Sequence, residues 1–254
     1  HRRICRRGDR VSRKARPPFP CLGSRRVVTP TALPPSLRVI ERGWLSSNSV
    51  LLFDGDEATL IDSGYVTEAE ETVAPVGAEL AWRAIAAPGH DLRALVFYAP
   101  DQGILISGDA LWADGFGILF GALLGTDEAL AATRTTLEML QRLEVEWVIP
   151  GHGPPFRDYA AALEQAWGRW RALAEDPTRI ARNAVRACVA FSLFEQRTLT
   201  RTALEQMLAE IPLFAIANER FLRLSPQALA DWVATQLVAA GRARWEGEQL
   251  VAVP

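Results

Sequence analysis

Cysteine and histidine are both scarce in this chain, at three residues each among 254. Long apolar runs are absent altogether. Cys5, Cys21 and Cys188 are odd in number and widely spaced, which argues against a disulfide framework and a Cys-x-x-Cys metal knuckle and predicts reduced thiols in a cytoplasmic protein. No apolar run approaches the roughly 18 to 20 residues that cross a bilayer, so no membrane partner is expected. A surplus of either charge is missing too: 28 Lys and Arg against 30 Asp and Glu leave a formal net charge of -2. A polyanion partner would therefore need a local basic surface. Apolar residues, by contrast, make up 49% of the chain, enough for a sizeable core in one large domain or a main domain with an appendage.

The first residues differ from the rest. From His1 to Arg26 the chain is rich in Arg, Pro and Ser, Asp9 is the only acid, and apolar periodicity is missing. Residues 1–35 are expected to be a disordered basic segment. There is no initiating Met, and the segment reads as a fragment end or as sequence translated upstream of the true start. Its Arg-rich, acid-poor composition leaves a nucleic-acid-binding arm and a transit peptide as alternatives.

Organised sequence begins at Ser36. Leu37-Arg38-Val39-Ile40 alternates, and Val50-Leu51-Leu52-Phe53 and Ala58-Thr59-Leu60-Ile61 flank a turn at Asp54-Gly55-Asp56, predicting a β-hairpin. A helix is expected from Thr67. Strands are expected at residues 82–86, 94–98, 104–107 and 147–149, with a helix over 127–143 capped by Thr126. Strands alternating with helices predict an α/β layered domain over residues 36–157. Residues 158–254 read as a separate helical domain. Trp167, Trp170 and Leu173 mark one helix and Cys188 and Phe191 a second. Leu204, Met207, Leu208 and Ile211 mark a third, and Ser225-Pro226 opens a fourth. Arg242–Trp245 and Gln249–Val253 flank a turn and predict a terminal hairpin.

Two of the three histidines follow glycine in Pro88-Gly89-His90 and Pro150-Gly151-His152-Gly153, and Ser107-Gly108-Asp109 closes an apolar strand between them. Neutral imidazole and carboxylate oxygen delivered from loops at strand ends suit a zinc-type hydrolytic site. The order of these motifs, with the opening hairpin and Asp62-Ser63-Gly64, resembles the metallo-β-lactamase fold hydrolases. That resemblance implies an αββα sandwich and two zinc ions per chain in the intact family. It implies His90 on the first metal, His152 on the second and Asp109 bridging them, with Asp62, Gly89, Gly108, Gly151 and Gly153 in support. It also implies a small-molecule ester, thioester, phosphodiester or amide as substrate.

The resemblance has a gap. Intact members carry a His-x-His-x-Asp-His motif before the Gly-His loop, and this chain has none, so the first half of its sandwich is expected to be incomplete. Pro75 to Ala78 reads as the seam of an in-frame deletion, with a rerouted loop as the alternative. Each metal would keep two protein ligands, where a catalytic zinc ordinarily has three and a water. Weak or absent zinc binding and impaired or absent catalysis are expected, which leaves open whether the chain is an enzyme. Leu51, Phe53, Leu60 and Trp82 are expected to lose their cover and to favour self-association.

Helices followed by a terminal hairpin resemble the winged-helix appendage of one branch of that family. Nucleic acid is a weakly supported partner, because Arg197, Arg201, Arg220, Arg223, Arg242 and Arg244 are interspersed with glutamates and form no basic stripe. The alternative function is a non-catalytic, degenerate or regulatory protein acting through this domain. Phe116, Gly117, Phe120 and Leu123 are candidates for a substrate entrance or for core packing.

Overall fold

Alternation of apolar residues builds antiparallel strands that each turn one face inward. The computed structural model describes residues 26–28, 33–41, 48–54, 57–61, 81–124 and 128–253. Strands β1 (Arg26–Val28), β2 (Leu37–Glu41), β3 (Ser49–Asp54) and β4 (Glu57–Ile61) form one sheet in sequence order. The expected hairpin is β3–β4, with Val50 opposite Ile61 and Leu52 opposite Thr59. Pairing of Val39 with Val50 and Leu37 with Leu52 extends the same inward face into β2.

A second sheet contains β5 (Arg83–Ala86), β6 (Leu95–Ala99), β7 (Ile104–Gly108) and β8 (Trp147–Pro150) in that order. All its pairings are antiparallel except β7–β8, which is parallel. The crossover between those two strands carries α1 (Phe120–Leu124) and α2 (Glu128–Leu140). Ile104, Ile106 and Ile149 face the first sheet and meet Leu37, Val39, Val50 and Leu52. The intervening Leu105 and the adjacent Val148 face the other way, into a helical layer. A strand buried on both faces explains why β7 reads as an unbroken apolar run. The chain has the α/β, metallo-β-lactamase-like fold expected of it: two facing sheets with helices on the outer side of the second.

Helices α3 (Tyr159–Glu175) and α4 (Thr178–Gln196) follow, then β9 (Thr198–Thr200), α5 (Arg201–Glu210), α6 (Pro212–Ala217), α7 (Pro226–Ala239), β10 (Ala243–Glu246) and β11 (Gln249–Ala252). The last two strands form the expected hairpin, and β9 adds to β11 as a third strand. Side chains of Asp158, Thr200 and Ser225 cap α3, α5 and α7 by accepting from backbone N–H groups. Buried residues of these helices, including Ala166, Val185, Leu204 and Val233, join Leu105, Leu137 and Val148 in one continuous apolar cluster. Among the described residues no helix is long and apolar enough to cross a membrane.

Several expectations need correction. The segment read as disordered contains β1, which pairs with β2 through Val28 and Val39, and Leu33 is buried between the sheets. Three residues are too few for periodicity to announce a strand. Helix α2 ends at Leu140, three residues earlier than its apolar spacing suggested, because a turn carries the chain into β8. Of the four residues expected to be uncovered, Leu60 is exposed, at 42%, whereas Leu51, Phe53 and Trp82 are half-buried. The Arg38 guanidinium lies over the Phe53 ring, and Trp82 packs on the inter-sheet core. Asp62, the helix start at Thr67, the seam at residues 75–78 and the Thr126 cap lie outside the described residues.

Burial predicts how two leucines differ. Leu105 is fully buried and Leu60 is not, so Leu105→Ala is expected to cost about 2–5 kcal/mol. Leu60→Ala should stay within about 0.5 kcal/mol of the parent. Urea unfolding of the two variants checks the contrast.

Candidate functional site

The parallel neighbours β7 and β8 end side by side, so the loops leaving them open toward the same space. Gly108, at φ +50°, turns the chain out of β7, and its carbonyl accepts from the Gly151 N–H at 2.7 Å, tying the two loops together. The Ser107 hydroxyl donates to the Leu111 carbonyl and closes the loop that presents Asp109. His90 comes from the loop after β5, which α2 braces: the Thr136 hydroxyl donates to the Pro88 carbonyl at 2.7 Å. Gly89 passes so close to α2 that a Cβ there would stand 2.6 Å from Thr133 Oγ1.

The three residues singled out in the sequence come together. His90 Nε2 lies 3.3 Å from Asp109 Oδ2, and His152 Nε2 lies 3.7 Å from Asp109 Oδ1. Each side chain is about a quarter exposed, 27%, 25% and 24% for His90, Asp109 and His152, so the group is reachable yet walled. The walls are aromatic: Phe120 meets His90 and Trp112 meets His152, both edge to face. The Trp112 indole N–H also donates to Asp109 Oδ1 at 3.1 Å. Gly117 and Gly151 form the floor. A Cβ on Gly117 would stand 2.8 Å from His90 Nδ1, and one on Gly151 would stand 2.6 Å from Asp109 Oδ1. Gly153, at φ +84°, completes the turn after His152.

His90 Nδ1 lies 2.6 Å from the Ile118 carbonyl oxygen. A carbonyl only accepts, so Nδ1 carries hydrogen and a neutral ring presents the Nε2 lone pair to the carboxylate. Two lone-pair donors 3.3 Å apart repel unless a proton or a cation stands between them. Backbone anchoring of one ring nitrogen with the other free toward a carboxylate is how metal-ligating histidines are oriented. His152 Nδ1, in contrast, is buried without a partner among the described residues. The donor set therefore fits a cation at His90–Asp109 better than at His152.

Asn48 was not singled out in the sequence. Its amide N–H groups donate to the Pro150 and Gly153 carbonyls at 3.0 and 2.7 Å, and its backbone N–H to Gly151. The first sheet thereby holds the His152 loop from across the sandwich. The candidate entrance residues divide: Phe116 and Leu123 are core, whereas Phe120 lines a cavity of about 590 Å³ that opens on Trp112 and His152. Helix α4 forms its far wall with Cys188 and Phe191.

A match to a protein-family profile agrees with the fold. The family profile described as the metallo-beta-lactamase superfamily matches residues 65–152. Among solved structures, a metallo-beta-lactamase family protein from Thermus thermophilus is 21% identical over 70% of this chain and 51% of its own, with a TM-score of 0.32. A beta-lactamase domain protein from Burkholderia ambifaria is 21% identical over 76% of this chain and 54% of its own, with a TM-score of 0.36. The chain thus spans about half the length of these two structures. No curated protein matches it.

Two outcomes follow from this geometry. Gly151→Ala places a methyl against Asp109 and the Gly108 backbone, and is expected to lower zinc affinity about tenfold or more. Zinc titration calorimetry beside Gly168→Ala, where nothing stands in the way, checks it. Burial pushes the Cys188 thiol up to about 11. The reactive thiolate accumulates only as pH rises toward that value, so at pH 8 Cys188 should react with a disulfide reagent at least about tenfold more slowly than in urea. Kinetics in a Cys5→Ser, Cys21→Ser background measure this.

Proposed function

We propose that this chain has the scaffold and part of the metal site of a metal-dependent hydrolase, with His90, Asp109 and His152 as its ligands and with weak zinc binding. The observation that carries this reading is the Asp109 carboxylate facing a different imidazole Nε2 with each oxygen. In this reading Asp62 and the glycines at 89, 108, 151 and 153 support the ligands. Held by these residues, zinc would supply Lewis acidity for activating water. Trp112 would hold the carboxylate by its N–H, the Ile118 carbonyl would fix His90, and Phe120 with the α4 wall would shape the space for a small ester, thioester, phosphodiester or amide.

Impairment follows from ligand number. Tight structural zinc sites are worth roughly 10–16 kcal/mol over four ligands, so a metal held only by Asp109 and one histidine should bind more weakly by several kcal/mol. Residues 158–254 would serve as a substrate cap. Their order α4–β9–α5–α6–α7–β10–β11 resembles the succession of a winged helix, which supports a non-catalytic or nucleic-acid-binding role as the second reading. Against that role, two of the arginines of this segment are paired with acids, Arg201 of α5 with Asp231 of α7 and Arg244 with Glu246 on the terminal hairpin.

Zinc per chain, measured by elemental analysis of protein purified with zinc, tests the first reading beside Asp109→Ala and His152→Ala. Fractional zinc that chelator removes and that Asp109→Ala abolishes is expected. Two tightly held ions with turnover lost in Asp109→Ala would overturn impairment, and zinc unchanged in both variants would overturn the site.

A further inference from the structure

The cavity that opens on His152 has a cationic end. Helix α4 carries Arg179, Arg182, Asn183 and Arg186 at the three- and four-residue spacings that put side chains on one helical face. Arg179, Arg182 and Arg186 line a second cavity, of about 480 Å³, between α3, α4 and α7. The two cavities share Arg169, Asn183 and Arg186 as a common wall, and among the described residues no acidic side chain lines either. Among the described residues, Arg169, Arg182 and Arg186 are in no ion pair and Arg179 has Asp176 at 3.6 Å; Asp176 and Asp114 act on Arg182 and Arg169 from further away, and Arg186 donates to Asn183 Oδ1.

Several features of this cluster work against folding. Like charges three and four residues apart oppose helix formation, and cations near a helix N-terminus oppose its dipole. Arg169 is set into the structure: its guanidinium lies 5.2 Å from the Phe116 ring centre, and its Nε is buried with no hydrogen-bond partner among the described residues. Its side chain passes where a Cβ on Gly115 would stand 2.8 Å away, so the loop that follows Asp109 is shaped around it. Burial lowers the guanidinium pKa, aided by the charge of Arg186 and opposed by Asp114. An anion in this groove would relieve these costs together, and guanidinium groups match phosphate oxygens in geometry and charge.

We propose that Arg169, Arg179, Arg182 and Arg186 bind the phosphate of an amphiphilic organic phosphate whose apolar part occupies the cavity lined by Phe120, Phe191 and Leu213, leading to His152. A small molecule fits better than a nucleic acid because the groove continues into an apolar, bounded cavity, where a polynucleotide would need a continuous basic track. As a substrate class this rests on the hydrolase reading, but the phosphate site itself needs no metal.

Isothermal titration of metal-free protein with decyl phosphate, pyrophosphate, decanol and a single-stranded 20-nucleotide RNA tests the proposal. Decyl phosphate is expected to bind one per chain and more tightly than the other three. Arg182→Gln and Arg186→Gln, both exposed positions whose change leaves the core untouched, should each weaken it about tenfold or more. Phe191→Ala should weaken decyl phosphate while leaving pyrophosphate unchanged. Equal binding in the arginine variants, pyrophosphate or decanol binding as tightly as decyl phosphate, or tighter binding of the RNA would each overturn it. Because the protein is metal-free, failure here leaves the zinc result standing, and an absence of zinc leaves this result standing.

Discussion

Asp109 stands between two imidazoles, and much of the surrounding structure constrains that position. The close approach of one carboxylate to two imidazole Nε2 atoms, at 3.3 and 3.7 Å, calls for a proton or a cation between them. It persists because the loops that carry the groups are held by backbone contacts. The Gly108 carbonyl takes the Gly151 N–H, the Asp109 carbonyl takes the Gly117 N–H, and Ile118 anchors His90. The glycines at 117 and 151 leave room for this, since a Cβ at either would strike the ligand group.

Both layers of the sandwich serve that arrangement. The second sheet delivers Asp109 and His152 from parallel neighbours, a pairing that needs the α1–α2 crossover, and α2 in turn braces the His90 loop. The first sheet contributes no candidate ligand among the described residues. Its role is Asn48, whose amide spans the sandwich to hold the Pro150 and Gly153 carbonyls. The helices after Asp158 cover the second sheet and close the cavity beside His152, so the core and the candidate site share the same wall.

Much of this was legible in the sequence wherever a local signal existed. The β3–β4 hairpin showed in its alternation, α7 in its Ser225-Pro226 start, α5 in its leucine spacing, and β7 in its unbroken apolar run. His90, Asp109 and His152 stood out because internal histidines are so few. The three-residue strands β1 and β9 and the helix α6, restarted by Pro212 directly after α5, are too short for periodicity to reveal. Asn48 was invisible for a different reason: its partner Pro150 lies 102 residues away. Arg169 and Arg186 were not singled out in the sequence, and only the packing of α3 against α4 places them in one groove.

The central claim is that His90, Asp109 and His152 are the metal ligands of this chain, with Asp109 between the two histidines. With three histidines in the chain, long-range 15N–1H correlation spectra of the imidazoles during zinc titration test it most directly. The account predicts that His90 carries its proton on Nδ1 and that the Nε2 resonances of His90 and His152 both move with zinc and stay fixed in Asp109→Ala. Zinc shifts confined to His1, or shifts of His90 and His152 that survive the loss of Asp109, would contradict it.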